Sequence, residues 1–187
     1  MYRLTPNLNG FLSGRATLVA LCLALLAACS QEPTIDNDLL AEADILNLRQ
    51  PEASIMSSGQ PTEEQFGALA DAGVRHIINL RPRDEQDWDE GALVRSLGME
   101  YHSIPVAGGA GVTRDNAQAL YDLLESVSGE PVVIHCASGN RVGALIALSA
   151  QQHQGMDAES ALQEGERWGL TSPRLTPVVR TRLAETL

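Results

Sequence analysis

Short apolar segments with strand character alternate with helical segments along most of the chain, and this alternation limits the fold. The predicted strands are Ala53–Ser57, Val74–Leu80, Met99–Val106 and Val132–His135. Helices are predicted between and after them, over residues 62–72, 87–97, 113–127, 141–154, 157–168 and 173–184. A capping box at Thr62–Gln65 opens the first of them, and Gly155 is the predicted stop of the fourth. Strand–helix alternation at this spacing predicts an α/β fold with a central, mostly parallel sheet flanked by helices.

The N-terminal segment, residues 1–28, differs from the rest and has the pattern of an export signal. Arg3 and Arg15 are the only charged side chains in it, and an apolar run, Ala16–Ala28, leads to Cys29. This run is shorter than the roughly 20 residues that a membrane-spanning helix needs. Its end, LAAC, resembles a bacterial lipobox, which implies cleavage before Cys29 and lipidation of that thiol. Ser30 then implies sorting to an outer membrane, so we expect an exported, lipid-anchored protein facing the periplasm.

Three regions follow from this pattern. Residues 1–28 are predicted to be a lipoprotein signal peptide. Residues 29–50 are polar and acidic and are predicted to form a tether that contains a short helix over residues 39–48. Residues 51–187 are predicted to form the folded domain, which is long enough to bury a core.

The charge of the chain restricts its partners. The formal net charge is −11 at pH 7, and loss of the basic N-terminal segment makes it more negative. Nucleic acids bind basic surfaces, so they are not expected as partners, nor is a polybasic membrane contact. A lipid on Cys29 would be the membrane anchor instead.

The sequence HCASGNR, residues 135–141, lies between a predicted buried strand and a predicted helix. A parallel strand delivers Cys136 to the carboxyl end of the sheet, where α/β proteins form their sites. Gly139 permits a tight turn, and the helix N-terminus adds positive potential that stabilises a thiolate or an oxyanion. Arg141 can hold two oxygens of a tetrahedral anion, and His135 would orient the loop. After export Cys136 is the free thiol of the chain, which marks it as a candidate nucleophile.

Four motifs together resemble a known family. They are SGQPT at residues 58–62, INLRP at 78–82, IPV at 104–106 and the HC loop itself. Across about residues 53–170 they resemble the beta-lactamase-hydrolase-like phosphatase family, a bacterial branch related to dual-specificity phosphatases. The resemblance implies a cysteine-phosphatase-like fold with a mostly parallel sheet of four or five strands.

The same resemblance implies roles for the loop. Cys136 would be the nucleophile that forms a thiophosphate intermediate, and Arg141 would clamp the oxyanion. The phosphate would be bound by the backbone amides of Ala137, Ser138, Gly139, Asn140, Arg141 and Val142. The expected reaction is hydrolysis of phosphate monoesters, on a small phosphorylated anion or a phosphoprotein.

Two departures from the phosphatase pattern keep other functions open. The loop has four residues between Cys136 and Arg141, where phosphatases have five, and rhodanese-type sulfurtransferases carry loops of the shorter size. Val142 replaces the hydroxyl residue that helps the thiolate leave. A sulfurtransferase that acts on a sulfane-sulfur anion through a Cys136 persulfide is therefore an alternative, and a non-catalytic anion-binding module is another.

A general acid is missing from its expected place after the third strand, where the chain reads AGGAG. The remaining candidates are Asp84, Glu85, Asp87 and Asp89 after the second strand, and Asp115 in a helical first turn. Proton donation is usually worth about 10²–10⁴-fold, so its absence would favour substrates with good leaving groups.

No metal or cofactor is expected from the sequence. His76 and His102 lie in predicted strands and are interpreted as core or edge histidines. No group of His, Cys or Asp residues has the spacing of a metal site along the chain. The glycines from Gly108 to Gly111 lack the third glycine of a dinucleotide-binding fingerprint.

Overall fold

The computed structural model of the protein describes residues 34–185, which belong to one compact unit. The predicted signal peptide and the predicted lipidation site Cys29 lie outside the described residues. Within residues 34–185, no helix combines the length and the apolar character needed to cross a membrane.

Four parallel strands form the central sheet, in the order β1-β4-β2-β3. The strands are β1 (Ile55–Ser58), β2 (His76–Asn79), β3 (Glu100–Ser103) and β4 (Val132–His135). The helices are α1 (Asn37–Glu42), α2 (Glu63–Asp71), α3 (Glu90–Ser96), α4 (Arg114–Ser126), α5 (Asn140–Gln154), α6 (Ala158–Arg167) and α7 (Thr176–Ala184), with a 3₁₀ helix at Arg83–Glu85. This arrangement confirms the predicted α/β fold with a parallel sheet of four or five strands.

The two faces of the sheet bury separate hydrophobic clusters, because successive strand residues point to opposite faces. Ile78 and Ile134 pack into the cluster covered by helices α4 to α7. Ile77 and Val133, their chain neighbours, pack into the cluster covered by α1, α2 and α3. The inner strands β2 and β4 are buried at all four positions, which explains why they read as unbroken apolar runs.

Local signals set several helix boundaries where the sequence predicted them. Thr62 accepts a hydrogen bond from the Gln65 amide, and the Gln65 side chain accepts one from the Thr62 amide, which completes the predicted capping box of α2. Gly155 ends α5 in the left-handed conformation, with φ +67°. The predicted helix over residues 87–97 is shorter in the structure, because Asp89 caps α3 and the chain before it forms a 3₁₀ turn.

Helix α5, which follows the HCASGNR loop, is held against α6 by an unusually close backbone contact. A Cβ on Gly143 would lie 2.2 Å from the Gly165 carbonyl oxygen, and one on Gly165 would lie 2.6 Å from that of Gly143. Only glycines allow this approach. The contact fixes the position of α5 beneath the loop.

Residues 34–50 pack against the domain, which differs from the tether expected over residues 29–50. Leu40 and Ile45 are buried in the cluster below α2 and α3. Arg49 forms a two-hydrogen-bond antiparallel bridge with Ser57 of β1, at 2.8 and 2.9 Å. The expected helix over residues 39–48 is the shorter α1, which Asp36 caps. The apolar residues of this segment alternate with acidic ones, and their pattern does not indicate that they pack on the domain.

Candidate active site

Cys136 lies directly after β4, at the carboxyl end of the sheet and beneath the loop that follows it. Its amide donates to the Ser58 carbonyl at 3.4 Å, and Gly59 bridges to Ser138 in the loop. The residue is 1% exposed. The SGQPT motif therefore supports the cysteine loop from the neighbouring strand β1.

The loop itself makes the turn from β4 into α5 at Gly139. This residue has φ +82° and stands at the N-cap of α5, a conformation that favours glycine. Asn47 donates to the Ser138 carbonyl at 3.1 Å, and the Asn140 side chain accepts from the amides of Thr171 and Ser172 at 2.7 Å each. Both ends of the loop are thus tied to segments distant in sequence.

The loop amides are available for an anion. Among residues 34–185, no backbone carbonyl accepts a hydrogen bond from the amides of Ala137 or Ser138. Together with the N-terminus of α5, which is 15 residues long, they provide donors and positive potential at one point.

Arg141 is 8% exposed and is held at one edge of its guanidinium group. Nη1 donates to Glu85 Oε1 at 3.0 Å and to the Val106 carbonyl at 2.7 Å, and Nη2 donates to Glu85 Oε2 at 2.7 Å. No oxygen of residues 34–185 accepts a hydrogen bond from Nε, and a side-chain hydrogen bond with Cys136 also acts on this arginine. The edge formed by Nε and the second Nη2 proton is therefore the one that remains for two anion oxygens.

The charges of this pair are mutually stabilised. The hydrogen bond from Arg141 outweighs burial and lowers the pKa of Glu85 below its usual range. Burial alone would lower the pKa of Arg141, but the hydrogen bond to Glu85 and the charge of Cys136 raise it. Both side chains are therefore ionised near neutral pH, and Arg141 carries its positive charge beside the cysteine.

Arg81 of the INLRP motif holds Glu85 in place, and Gln60 of the SGQPT motif in turn accepts a hydrogen bond from Arg81. Arg81 hydrogen-bonds the Glu85 backbone carbonyl and the Gln60 side-chain oxygen, and its Nε lies 3.7 Å from Glu85 Oε2. Arg81 lies behind Glu85, where it organises the segment after β2 that orients Arg141.

His135 contacts a second, buried carboxylate. Its Nε2 lies 2.8 Å from Glu90 Oε1, and the two side chains are 0% and 2% exposed. Because a carboxylate only accepts, Nε2 carries the proton. Glu90 also accepts from Asn79 at 2.9 Å and from Gln60 at 2.7 Å. His135 is thus fixed under the loop by a carboxylate whose hydrogen bonds are well satisfied.

A pocket of about 520 Å³ opens in front of Arg141. Its lining combines the loop, the glycine-rich segment after β3 and the N-terminal part of α7: Glu85, Gly108, Gly109, Ser138, Asn140, Arg141, Ser172, Arg174, Leu175 and Val178. Arg174 adds a second cation to this lining. The pocket is large enough for a phosphate ester with an organic group.

The candidate general acids lie in different places. Glu85 is the one that lines the pocket, and it is paired with Arg141. Asp89 accepts from the Ala92 amide as the cap of α3. Asp84, Asp87 and Asp115 are exposed. Val142, at the position of the phosphatase hydroxyl, is completely buried in the core.

Several site residues were missed by reasoning from the sequence. The sequence pattern does not mark Glu90, Gln60 or Asn47 as site residues, although Gln60 lies in a motif that carries the family resemblance. It marks Glu85 only as a candidate acid and does not indicate that Glu85 pairs with Arg141. The signal that could have indicated a partner for Arg141 was the group of four carboxylates that follows β2 in the sequence.

Comparison with known proteins agrees with this architecture. The family model for "DSP-PTPase phosphatase fused to NAD+ Kinase" matches residues 36–176. A DUF442 phosphatase-like protein of Shewanella putrefaciens has a similar structure, with a TM-score of 0.61 and 27% identity, covering 80% of this chain and 97% of that protein.

Two further relatives are similar in sequence. A beta-lactamase hydrolase-like protein of Xylella fastidiosa is 38% identical over 97 residues, 49% of this chain and 22% of that protein. The chain thus spans about a fifth of the length of that relative. The dual specificity protein phosphatase TpbA of Pseudomonas aeruginosa is 27% identical over 128 residues, 66% of this chain and 55% of that protein. A structure of P. aeruginosa TpbA in complex with phosphotyrosine shares the fold, with a TM-score of 0.56 and 17% identity, covering 84% of this chain and 93% of that one.

The matched family model includes the strand, cysteine loop and helix as well as segment 34–50 from Asp36 onward. The expected relationship to dual-specificity phosphatases is confirmed. The chain belongs to the dual-specificity and tyrosine phosphatase-like family described as DSP-PTPase phosphatase fused to NAD+ kinase.

Proposed function

We propose that the protein is a cysteine-dependent phosphatase that hydrolyses phosphate monoesters. The observation that carries this proposal is the buried Cys136 beneath a loop in which the amides of Ala137 and Ser138 bond to no backbone carbonyl of the described residues, next to Arg141, which Glu85 and the Val106 carbonyl hold in place. A nucleophile, amide donors and a bidentate cation are the groups needed to attack a phosphoryl centre and stabilise its charge.

The reaction takes two steps. The Cys136 thiolate attacks phosphorus, the phosphorus–oxygen ester bond breaks, and the leaving oxygen departs with the bonding electrons and takes a proton from water. Water then attacks the thiophosphate, the phosphorus–sulfur bond breaks, and inorganic phosphate and the thiolate are released. Arg141 and the amides of Ala137 to Val142 would hold the oxygens in both steps, and His135 would hold the loop.

Aryl phosphates are the substrates that we expect to react fastest. Glu85 lines the pocket, but its lowered pKa disfavours a proton on its carboxyl group near neutral pH. A phenolate leaves without much help from a proton donor, whereas an alkoxide does not. Phosphotyrosine, which TpbA binds in its solved complex, belongs to this class.

The proposal is tested by measuring hydrolysis of an aryl phosphate by the purified chain and by Cys136→Ser. We expect measurable hydrolysis by the wild type and complete loss in the variant. Cys29→Ser is the matched control, since it makes the same chemical change outside the loop. Equal activity in wild type and Cys136→Ser would refute the proposal.

Sulfur transfer is a second candidate, favoured by the four-residue spacing and by Val142, which is buried where a phosphatase hydroxyl would face the cysteine. In this reaction the Cys136 thiolate attacks the outer sulfur of thiosulfate, releasing sulfite, and the persulfide passes that sulfur to cyanide. Intact mass after thiosulfate treatment distinguishes the two functions: an added sulfur on Cys136, with thiocyanate formation exceeding phosphate release, would favour the transferase.

We also propose that the protein is exported and anchored to a membrane by a lipid on Cys29, facing the periplasm. The support is the basic N-terminus, the apolar run and the lipobox-like LAAC. Fractionation of cells that produce wild type or Cys29→Ala tests this. We expect the wild type in outer-membrane fractions and the variant outside them, and the same distribution for both would contradict the anchor.

A further inference from the structure

Two histidines and a glutamate meet at the opposite end of the sheet from Cys136. His76 begins β2, Glu100 begins β3, and His102 follows on the same strand after Tyr101. His76 and Glu100 are register partners in the parallel pair β2–β3, and alternate residues of a strand share a face. All three side chains therefore project from one face, although His76 and Glu100 are distant in the chain.

The ligand-type atoms of these side chains converge. His76 Nδ1 lies 3.2 Å from His102 Nε2. Glu100 Oε2 lies 3.7 Å from His76 Nδ1 and 3.9 Å from His102 Nε2. In a tetrahedral Zn²⁺ site with bonds of about 2.0–2.2 Å, two ligand atoms lie about 3.3–3.6 Å apart. The triangle formed by the three atoms is thus close to one face of such a tetrahedron without any rearrangement of the strands.

We propose that His76, Glu100 and His102 bind Zn²⁺. Two imidazoles and one carboxylate are a ligand set that suits this ion, and three protein ligands leave one coordination position open. One ring nitrogen now donates its proton to the other. On Zn²⁺ binding the donating imidazole would carry its proton on its other ring nitrogen, so that both rings ligate the ion as neutral imidazoles.

The surroundings leave room for the ion. Side-chain exposure rises from 9% at His76 to 24% at His102 and 72% at Glu100, so the site is anchored in the sheet and open to solvent on one side. A pocket of about 440 Å³ adjoins His76 and Glu100, and Arg75 and Glu130 also line it. Water or a small anion can reach the open position from this pocket.

The site would join the edge strand β3 to β2. β3 pairs with β2 alone among the described strands, and its residues are half-buried or exposed. An ion bound by both strands in the native state, and not by the unfolded chain, would raise the unfolding temperature. Because the cysteine loop lies at the other end of the strands, we expect the ion to act on stability and to take no part in the reaction at Cys136.

The test is a Zn²⁺ titration of the purified full chain, followed by NMR of the histidine rings. We expect saturation at one equivalent, with shifts at His76 and His102 and none at His135. Glu100→Gln should weaken Zn²⁺ binding by at least about tenfold, which is the size of loss that even an outer-sphere partner causes. Glu100 is 72% exposed, so this substitution leaves the fold intact.

His153→Ala is the matched control, since His153 stacks on Tyr121 of α4 at 3.7 Å and is not part of the cluster. This variant should bind Zn²⁺ as the wild type does, and Zn²⁺ should raise the unfolding temperature of both. Shifts confined to His135 or His153, an affinity unchanged by Glu100→Gln, or no saturable binding would each overturn the proposal. Loss of Zn²⁺ binding in Cys136→Ser would also overturn it, because the ion would then lie at the cysteine.

Discussion

Two carboxylates stand on either side of the cysteine loop, and they differ in burial and in partners. Glu90 is 2% exposed and contacts His135 at 2.8 Å beneath Cys136. The Glu85 side chain is 36% exposed and contacts Arg141 at 2.7 Å at the mouth of the pocket. Similar distances thus occur in two environments, one sealed in the core and one open to solvent.

Because of this difference, we infer different roles for the two carboxylates. A buried carboxylate that accepts from His135, Asn79 and Gln60 cannot be removed without leaving donors unsatisfied, so Glu90 maintains the fold. An ion pair that solvent reaches on one side, as it does at Glu85, contributes less to stability than a buried network, but it can orient a catalytic side chain. We infer that Glu85 acts through Arg141 as a positioning residue. Three substitutions and one pH series distinguish the structural role of Glu90 from the positioning role of Glu85.

The largest effect is expected from Glu90→Ala. It leaves two buried donors, His135 and Asn79, and the half-buried Gln60 without this acceptor, and we expect a loss of about 3 kcal/mol in the free energy of unfolding. Urea denaturation measures this loss. Glu85→Ala is the matched control and should cost less than about 1 kcal/mol. Equal losses in the two variants would show that burial does not distinguish the two carboxylates.

Arg141→Lys should reduce kcat/KM for an aryl phosphate by about 10²–10³-fold, which is the effect of removing one donor to a developing oxyanion. Lysine keeps the charge next to Glu85 but cannot present two parallel donors to an anion. Steady-state kinetics measure the change, and thermal unfolding checks that the fold is retained. Activity within about twofold of the wild type would mean that Arg141 does not clamp the substrate.

Glu85→Gln should lower kcat/KM by about tenfold. The amide keeps one acceptor for Arg141, but charge-assisted hydrogen bonds are about twice as strong as neutral ones, so Arg141 is oriented less firmly. Arg83→Gln serves as the control in the same 3₁₀ turn after β2, because Arg83 is exposed and donates only to nearby backbone carbonyls. A larger loss in Arg83→Gln than in Glu85→Gln would contradict the positioning role.

The smallest effect concerns pH. Because Arg141 lowers the pKa of Glu85 below its ordinary 4.5, the ion pair stabilises the fold above pH 4.5 and this contribution disappears as pH falls through the lowered pKa. The difference in unfolding free energy between wild type and Glu85→Gln should therefore be constant above about pH 4.5 and shrink below it. Urea denaturation between pH 3 and 7 measures it, and a difference that grows on acidification would contradict the assignment.

Elements defined by local signals were predicted well. The bounds of β4 match the prediction, and α5 starts one residue before the predicted start and ends at the predicted residue. The capping box at Thr62 and the left-handed Gly155 were also foreseen. Each depends on hydrogen bonds or backbone angles within a few residues, so the sequence pattern contains the information directly.

The partners of the site side chains were not predicted. Four carboxylates follow β2 in close succession, Asp84, Glu85, Asp87 and Asp89, and their spacing does not indicate which one meets Arg141. The structure selects Glu85 because the 3₁₀ turn and Arg81 aim its side chain at the loop. Periodicity reports which positions are buried, but it does not report which distant side chain fills a given polar contact.

The sequence by itself determined the fold class, the nucleophile candidate Cys136 and the arginine that follows it, because strand, turn and helix signals surround them in one short stretch of the chain. Tertiary structure decided the rest. The strand order β1-β4-β2-β3 brings Gln60, Glu85 and Glu90 around the loop, places His76 beside His102, and packs residues 34–50 on the domain. These contacts join segments far apart in the chain, and their energies depend on side-chain geometry that exists only after the sheet has formed.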